Sequence, residues 1–397
     1  MNLRSRFSLL VDQPDLVYLD SASTTQRVDI VLARLDHYYR EMNANVHRGL
    51  YSLSEKATTE YEAVRETVRA FIGARETAEI LFTHGTTESL NMVAQGWGRQ
   101  FLEEGDEVVL TILEHHSNLV PWQMMAKKTG AVLKFVGITE SGELDYSALE
   151  LLVGERTKMV SVTGLSNALG TLVDLDYVVT LAKKVGAKVC VDAAQLVAHR
   201  VVDVRKLDID FLAFSSHKIY GPTGAGVLWA RRELLEEMEP WLGGGDMIRE
   251  VKVDGCTWND IPWKFEAGTP PIAQVLGMGA AIEFLNEIGM GKIEAHDREI
   301  MEYAREKLAT LEGVRLFGPS EAVGVLSFEV KGIHPHDVSA ILAEQGVCVR
   351  AGHHCTMPLM KALGVVGTTR ASFGVYTEQA DVDRLVQGLE KVREMFA

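Results

Sequence analysis

Between about residues 79 and 230, short apolar runs alternate with stretches whose apolar residues recur at helical spacing. The pattern predicts strands at Ile80 to Thr83, Glu107 to Ile112, Val132 to Val136, Met159 to Thr163, Lys188 to Asp192 and Phe211 to Phe214. Helices are expected between most of them, Thr87 to Trp97 and Leu175 to Val185 among them. Runs such as KVCVD are apolar on both faces, as a parallel sheet covered by helices requires. GAGVLWA, Gly224 to Ala230, predicts one more strand, antiparallel and at an edge.

After Gly268-Thr269-Pro270-Pro271 the texture changes. Long helical stretches are expected at Ala273 to Ile288 and Ile293 to Leu311, followed by VGVLSFEV, a helix near His336 to Gln345, VCVR, ASFGV and a terminal helix from about Glu378. The expected organisation is a large α/β domain over residues 15–270 and a smaller α+β domain over 271–397, with residues 1–14 packing against the smaller one. No repeat or low-complexity linker separates them.

Composition narrows the classes of function. With 397 residues, 47% of them hydrophobic, the chain can bury two cores of ordinary size. No apolar run approaches the roughly 18 residues that span a bilayer, and acidic residues come too early for a secretory signal, so a soluble cytoplasmic protein is expected. Forty basic against 55 acidic residues give a net charge of −15, which disfavours nucleic acid and anionic membranes as partners. The four cysteines, Cys190, Cys256, Cys348 and Cys355, contain no CxxC pair, so neither a disulfide framework nor a zinc ribbon is expected.

Candidate chemistry gathers where expected strands end. In THGTTES, Thr83 to Ser89, a glycine turns the chain and Thr86 and Thr87 open a helix, whose free N–H groups can hold a phosphate or simply be capped. Asp192 ends a buried strand in VDAAQ, on the rim where α/β proteins bind ligands; it is equally suited to capping a helix. In FSSHKIYGPTGAG, Lys218 stands among small and polar residues, flanked by Ser215 and His217. A partly desolvated lysine has a depressed pKa and becomes a competent Schiff-base amine, whereas an exposed loop lysine would do nothing of the kind. The glycines follow Lys218, which rules out a Walker-type phosphate loop.

His115 and His116 follow another strand end, where an imidazole can stack on a planar cofactor or move protons. His353-His354-Cys355 invites a metal reading, but neighbours on an extended chain point in opposite directions, and no metal site is expected. Cys355 lies in RAGHHCTMP, an aperiodic loop in which Arg350 and two histidines can stabilise a thiolate; an inert thiol is the alternative. Arg370 precedes a strand and can clamp a carboxylate with two parallel hydrogen bonds, or be an ordinary surface arginine.

Taken together, the chain resembles the class V aminotransferase family of fold-type I pyridoxal-phosphate (PLP) enzymes, and within it the group II, SufS-like cysteine desulfurases. The segments that carry the resemblance are LDSASTTQ, NANVHRGLYSLSEKAT, THGTTES, HHSNLVPWQ, SNALGT, DAAQ, SSHKIYGPTG, GGGDMI, FEAGTP and RAGHHCTMPLM, in that order along almost the whole chain. Ala193 and Ser216 depart from the common pattern, standing where glycine is frequent; His84 stands where arginine is, and Pro271 where asparagine is.

The resemblance implies a mostly parallel seven-stranded sheet between helices, and a set of roles. Lys218 would carry PLP and move the Cα proton, and His116 would stack on its ring and assist. Asp192 would hold the ring nitrogen and Gln195 the phenolate. Thr86, Thr87, Ser215 and His217 would bind the phosphate, with Thr269 from a second subunit. Asn167 and Arg370 would orient the substrate carboxylate, with Arg350 near the substrate and His47 and Arg48 at the mouth. Cys355 would accept sulfur from L-cysteine as a persulfide, leaving alanine. A homodimer and a SufE-like or SufU-like sulfur acceptor are implied as partners, with iron–sulfur cluster assembly as the destination and selenocysteine as a further substrate. Selenocysteine lyase and a catalytically silent scaffold of a sulfur-transfer complex are the alternatives.

Overall fold

The computed structural model describes residues 3–396. Its large sheet is built from β1 (Ile80–Thr83), β2 (Glu107–Thr111), β3 (Val132–Val136), β4 (Thr157–Thr163), β5 (Lys188–Asp192), β6 (Phe211–Ser215) and β7 (Gly226–Ala230). These seven strands lie in the order β1-β7-β6-β5-β4-β2-β3. Strands β2 to β6 pair in parallel, and all residues of β2 and β6 are buried, which explains their continuous apolar runs. β3 is half exposed because it closes one edge. β7 is antiparallel, as expected, yet it lies inside the sheet between β1 and β6, and β1 takes the edge. A close approach allows this arrangement: a Cβ on Gly226 would sit 2.5 Å from Gly85 Cα.

The small sheet contains β8 (Val314–Phe317), β9 (Val325–Val330), β10 (Arg350–Gly352) and β11 (Thr368–Ser372), all antiparallel in the order β8-β9-β11-β10. VCVR, expected as one strand, is divided. Val347–Cys348 pairs with Val17–Tyr18, and only Arg350 onward joins the small sheet. Helices Met290–Ala309, Pro335–Glu344 and Gln379–Met395 bury their apolar faces in this part of the molecule.

Two cores flank the large sheet and a third lies in the small domain. Helix Ile272–Ile288 is apolar nearly all round and belongs to the large core, as a helix enclosed on every side must be. It approaches its neighbours through glycines: a Cβ on Gly279 would meet Val64 at 2.8 Å. The boundary expected at residue 271 therefore falls ahead of a helix that packs with the large sheet, while the small core takes its helical residues from Ile300 onward. Residues 1–14 were expected against the small domain. They touch both parts: Arg4 pairs with Asp381 of the small domain's terminal helix, while Phe7 and Leu10 join the large core, Phe7 with its ring centroid 4.8 Å from Tyr376. Met1 and Asn2 lie outside the described residues.

Candidate active site

Four buried strands, β2, β4, β5 and β6, run in one direction and release the chain at the same end of the sheet, where open α/β sheets bind ligands. A cavity of about 240 Å³ opens there. Its wall includes Thr86, Thr87, His115, Asn167, Asp192, Gln195, Ser215, His217, Lys218, Arg350, His354, Cys355 and Arg370. Residues distant in sequence thus meet because their strands end side by side.

At one end of the cavity, β1 gives way to Gly85 (φ +152°) and the helix that starts at Thr86 and continues in wider turns to Gly98. The Thr86 N–H donates to Ser215 Oγ at 2.8 Å, and the two hydroxyls share a further hydrogen bond of 2.6 Å. His217 stands alongside with its Nδ1 buried and unpartnered among the described residues. Burial, and then the nearby Lys218, push the His217 imidazole down to about 4.

In the middle of the cavity, Asp192 accepts a 2.9 Å hydrogen bond from the Ala194 N–H. Burial raises its carboxyl above the usual range, and the Lys218 amine opposes that shift. Lys218 follows β6 on a short turn, and burial takes its amine down from 10.5 to about 8. Asp192 acts against the fall and Arg370 and Arg350 act with it. An amine so tuned is in part unprotonated near neutrality.

Of the two histidines, the structure places His115 on the cavity wall and His116 off it. His115 Nδ1 accepts from the Ser117 N–H at 3.1 Å, which leaves the proton of the neutral ring on Nε2. Burial and the neighbouring Lys218 depress this imidazole to about 3, so it stays neutral. His116 turns toward the Cys355 loop. Its N–H donates to the Cys355 carbonyl at 2.8 Å, and its Nε2 accepts from the Met357 N–H at 3.2 Å. His115, rather than the expected His116, thus lines the cavity, because successive side chains leave the backbone in opposite directions. Nothing in the local pattern chooses between them.

Cys355 stands partly exposed between β10 and the helix Met357–Ala362. His354 (φ +50°) and Cys355 (φ +58°) are both left-handed, and the Cys355 N–H donates to His353 Nδ1 at 3.1 Å. This backbone faces the sulfur-bearing residue into the wall that Lys218 shares. Asn167 and Arg370 are equally organised: Asn167 Nδ2 donates to the His354 carbonyl at 2.8 Å, and Arg370 Nη1 donates to the Asn167 carbonyl at 2.7 Å.

The segment from Leu19 to Arg27 braces the whole site. Gln195 Nε2 donates to the Ala22 carbonyl at 2.7 Å, leaving its amide oxygen for a ligand. The Thr25 N–H donates to the His217 carbonyl at 3.0 Å, and Thr25 Oγ1 accepts from the Tyr220 N–H at 2.8 Å, so the lysine turn is held from both sides.

Thr269, His47 and Arg48 are not brought to this cavity. Thr269 is exposed in a surface depression with Tyr38, Tyr39 and Tyr51, His47 bonds Glu62, and Arg48 pairs with Asp246. Among the described residues no group of His, Cys, Asp and Glu is arranged to hold a metal ion.

The donor set fits PLP. Hydroxyls and a helix start face one end, a carboxylate and a depressed lysine face the middle, and His217 Nδ1 and Arg370 Nε are buried donors or acceptors with no protein partner among the described residues. Such orphaned atoms in a polar cavity call for a ligand.

Comparison with known proteins points the same way. The family model "Aminotransferase class-V" matches residues 17–385. A probable cysteine desulfurase of Halalkalibacterium halodurans is 47% identical over 97% of this chain and 95% of its own. The apo structure of the cysteine desulfurase of Thermococcus onnurineus superposes with a TM-score of 0.95 at 42% identity, covering 99% of this chain and 98% of that one. The cysteine desulfurase CsdA of Escherichia coli, with an S-sulfonic acid, has a TM-score of 0.93 at 42% identity and the same coverage.

Proposed function

The chain belongs to the class-V aminotransferase family and is a PLP-dependent enzyme of the cysteine desulfurase kind; from that premise we propose that Cys355 takes the sulfur and that the cavity residues divide the remaining work. One observation carries the reading: Lys218, Asp192 and Cys355 line a single cavity.

Thr86, Thr87, Ser215 and His217 hold the cofactor phosphate, Gln195 the phenolate oxygen and Asp192 the ring nitrogen. When bound, PLP supplies a protonated ring that draws electrons from the Cα–H bond of an amino acid attached to it. The Lys218 amine, partly free near neutrality, binds the cofactor and then takes and returns the Cα proton. The neutral His115 imidazole, on the cavity wall, would pack against the cofactor and carries a proton on Nε2. Arg370 and Asn167 fix the substrate carboxylate. The Cys355 sulfur attacks the sulfur of L-cysteine. The S–S bond of a persulfide forms as the substrate's Cβ–S bond breaks, the electron pair of that bond stays with Cβ, and protonation there gives alanine.

Cys355 is partly exposed on a loop, which suits delivery to an acceptor protein of the SufE-like or SufU-like sort and onward to iron–sulfur cluster assembly. A homodimer is supported by the exposed apolar side chains near Thr269 and His47: Leu50 at 97% exposure, Tyr51 and Tyr39. A second copy there would bring Thr269, His47 and Arg48 to a cavity mouth. All four cysteines are unpaired, which suits the reducing cytoplasm. Among the described residues no helix is long and apolar enough to cross a membrane.

The test is direct. Purified protein should show the visible absorption of lysine-bound PLP and release alanine from cysteine. Lys218→Ala should lose both properties. Cys355→Ala should keep the colour and lose turnover, and mass spectrometry of the wild type after cysteine should find one added sulfur on Cys355. Full turnover by Cys355→Ala would remove the sulfur-acceptor role.

A further inference from the structure

Arg350 and Arg370 face each other directly across the β10–β11 ladder. Like charges at opposed positions of an antiparallel pair repel, so their retention on a cavity wall calls for compensation. Part of it comes from one hydroxyl. Ser23 Oγ accepts from Arg350 Nη1 at 2.7 Å and from Arg370 Nη2 at 2.8 Å, and donates to Asp20 Oδ1 at 2.6 Å. A serine hydroxyl has one proton and two lone pairs, so Ser23 is fully committed in this arrangement. The two arginines are not held alike. Arg370 is 2% exposed and has Asn167 and Asp20 as further partners, with Nε unpartnered. Arg350 is exposed, and Ser23 is its one side-chain hydrogen-bond partner among the described residues.

We propose that Ser23 is a positioning residue for the substrate carboxylate, holding Arg350 beside Arg370 so that both guanidinium groups face one anion. The inference rests on the desulfurase reading, in which an α-carboxylate is the anion. Without the hydroxyl, Arg350 keeps its charge and loses its anchor, and the entropy of fixing a long side chain is then charged to substrate binding. The effect belongs to ground-state recognition: the reacting groups, Lys218 and Cys355, have no bond to Ser23.

The experiment uses the holoenzyme and three variants: Ser23→Ala, Ser23→Thr and Arg350→Ala. Spectral titration with L-alanine should show about tenfold weaker binding to Ser23→Ala, the scale of a lost hydrogen bond to a charged group. KM for cysteine should rise similarly while kcat stays within about twofold. L-Alaninamide, which lacks the carboxylate, should bind wild type and Ser23→Ala equally. Ser23→Thr keeps the hydroxyl and should recover alanine binding. The double variant Ser23→Ala/Arg350→Ala should lose less than the sum of the two single losses, because the Arg350 share of the effect is common to both. Equal weakening for alanine and alaninamide, or additive losses in the double variant, would overturn the assignment. Should the wild type fail to desulfurate cysteine, the functional reading falls by itself. An active wild type whose Ser23→Ala variant binds alanine normally sinks the role of Ser23 alone.

Discussion

The titration of Lys218 offers the sharpest check on the electrostatics of the cavity. Burial lowers the amine from 10.5 to about 8, with Asp192 opposing the fall. Each pH unit is a tenfold ratio of free amine, so near neutrality Lys218 holds about 300-fold more unprotonated amine than a solvated lysine. Competitive acetylation of protein stripped of PLP, resolved by peptide in a mass spectrometer, should give a midpoint near pH 8 at this residue. Asp192→Asn removes the group that most favours the ammonium form, so its midpoint should move further down. The same shift has a thermodynamic face. Between about pH 8 and 10.5 the unfolded chain holds a proton on this lysine that the native one has lost. Stability of the stripped protein therefore gains from Lys218 as pH rises through that window and loses as it falls, and Lys218→Met should flatten the dependence. A midpoint at or above pH 10, or an upward move in Asp192→Asn, would refute the account of a desolvated amine balanced by one carboxylate.

Other outcomes follow from the same geometry. His115→Ala should lower kcat by about 100-fold or more in steady-state assays, while His116→Ala should stay within several-fold and speed hydrogen exchange around Cys355. His115, His217 and His354 are held neutral, with values of about 3, 4 and 3, so charging them opposes folding. Stability should fall as pH drops from about 6.5 toward those values, and denaturant titrations of His217→Asn should show a shallower fall. Glu266 bonds Arg65 through both carboxylate oxygens and accepts from the Phe82 N–H, all in a buried setting. Glu266→Ala leaves Arg65 with Glu62 and the Ile80 carbonyl but strips the buried Phe82 N–H of its acceptor, and should cost about 1–3 kcal/mol in urea unfolding.

Sequence patterns disclosed much of this fold because its central strands are covered on both sides and read as unbroken apolar runs, KVCVD being one. They failed where placement depends on partners. β7 is buried along its whole length, and its place inside the sheet goes with a close Gly85–Gly226 approach between segments distant in the chain. Helix Ile272–Ile288 did carry a usable sign, since apolar residues on every side mark an enclosed helix. Site residues at strand ends, Asp192 and Lys218, were legible from the strands that deliver them. His115 was not separable from His116, and Ser23 gave no sign, because its meaning comes from two arginines more than three hundred residues away.

The backbone at His354 and Cys355 has a consequence of its own. Two consecutive residues in left-handed conformation are a place where glycine would rest at ease, and side chains there cost about 1 kcal/mol or more apiece. A Cys355→Gly enzyme should therefore outlast a Cys355→Ala enzyme on heating, while neither should turn over cysteine in the alanine-release assay. Durability and purpose disagree at this bend, and the thiol is what the strain sustains.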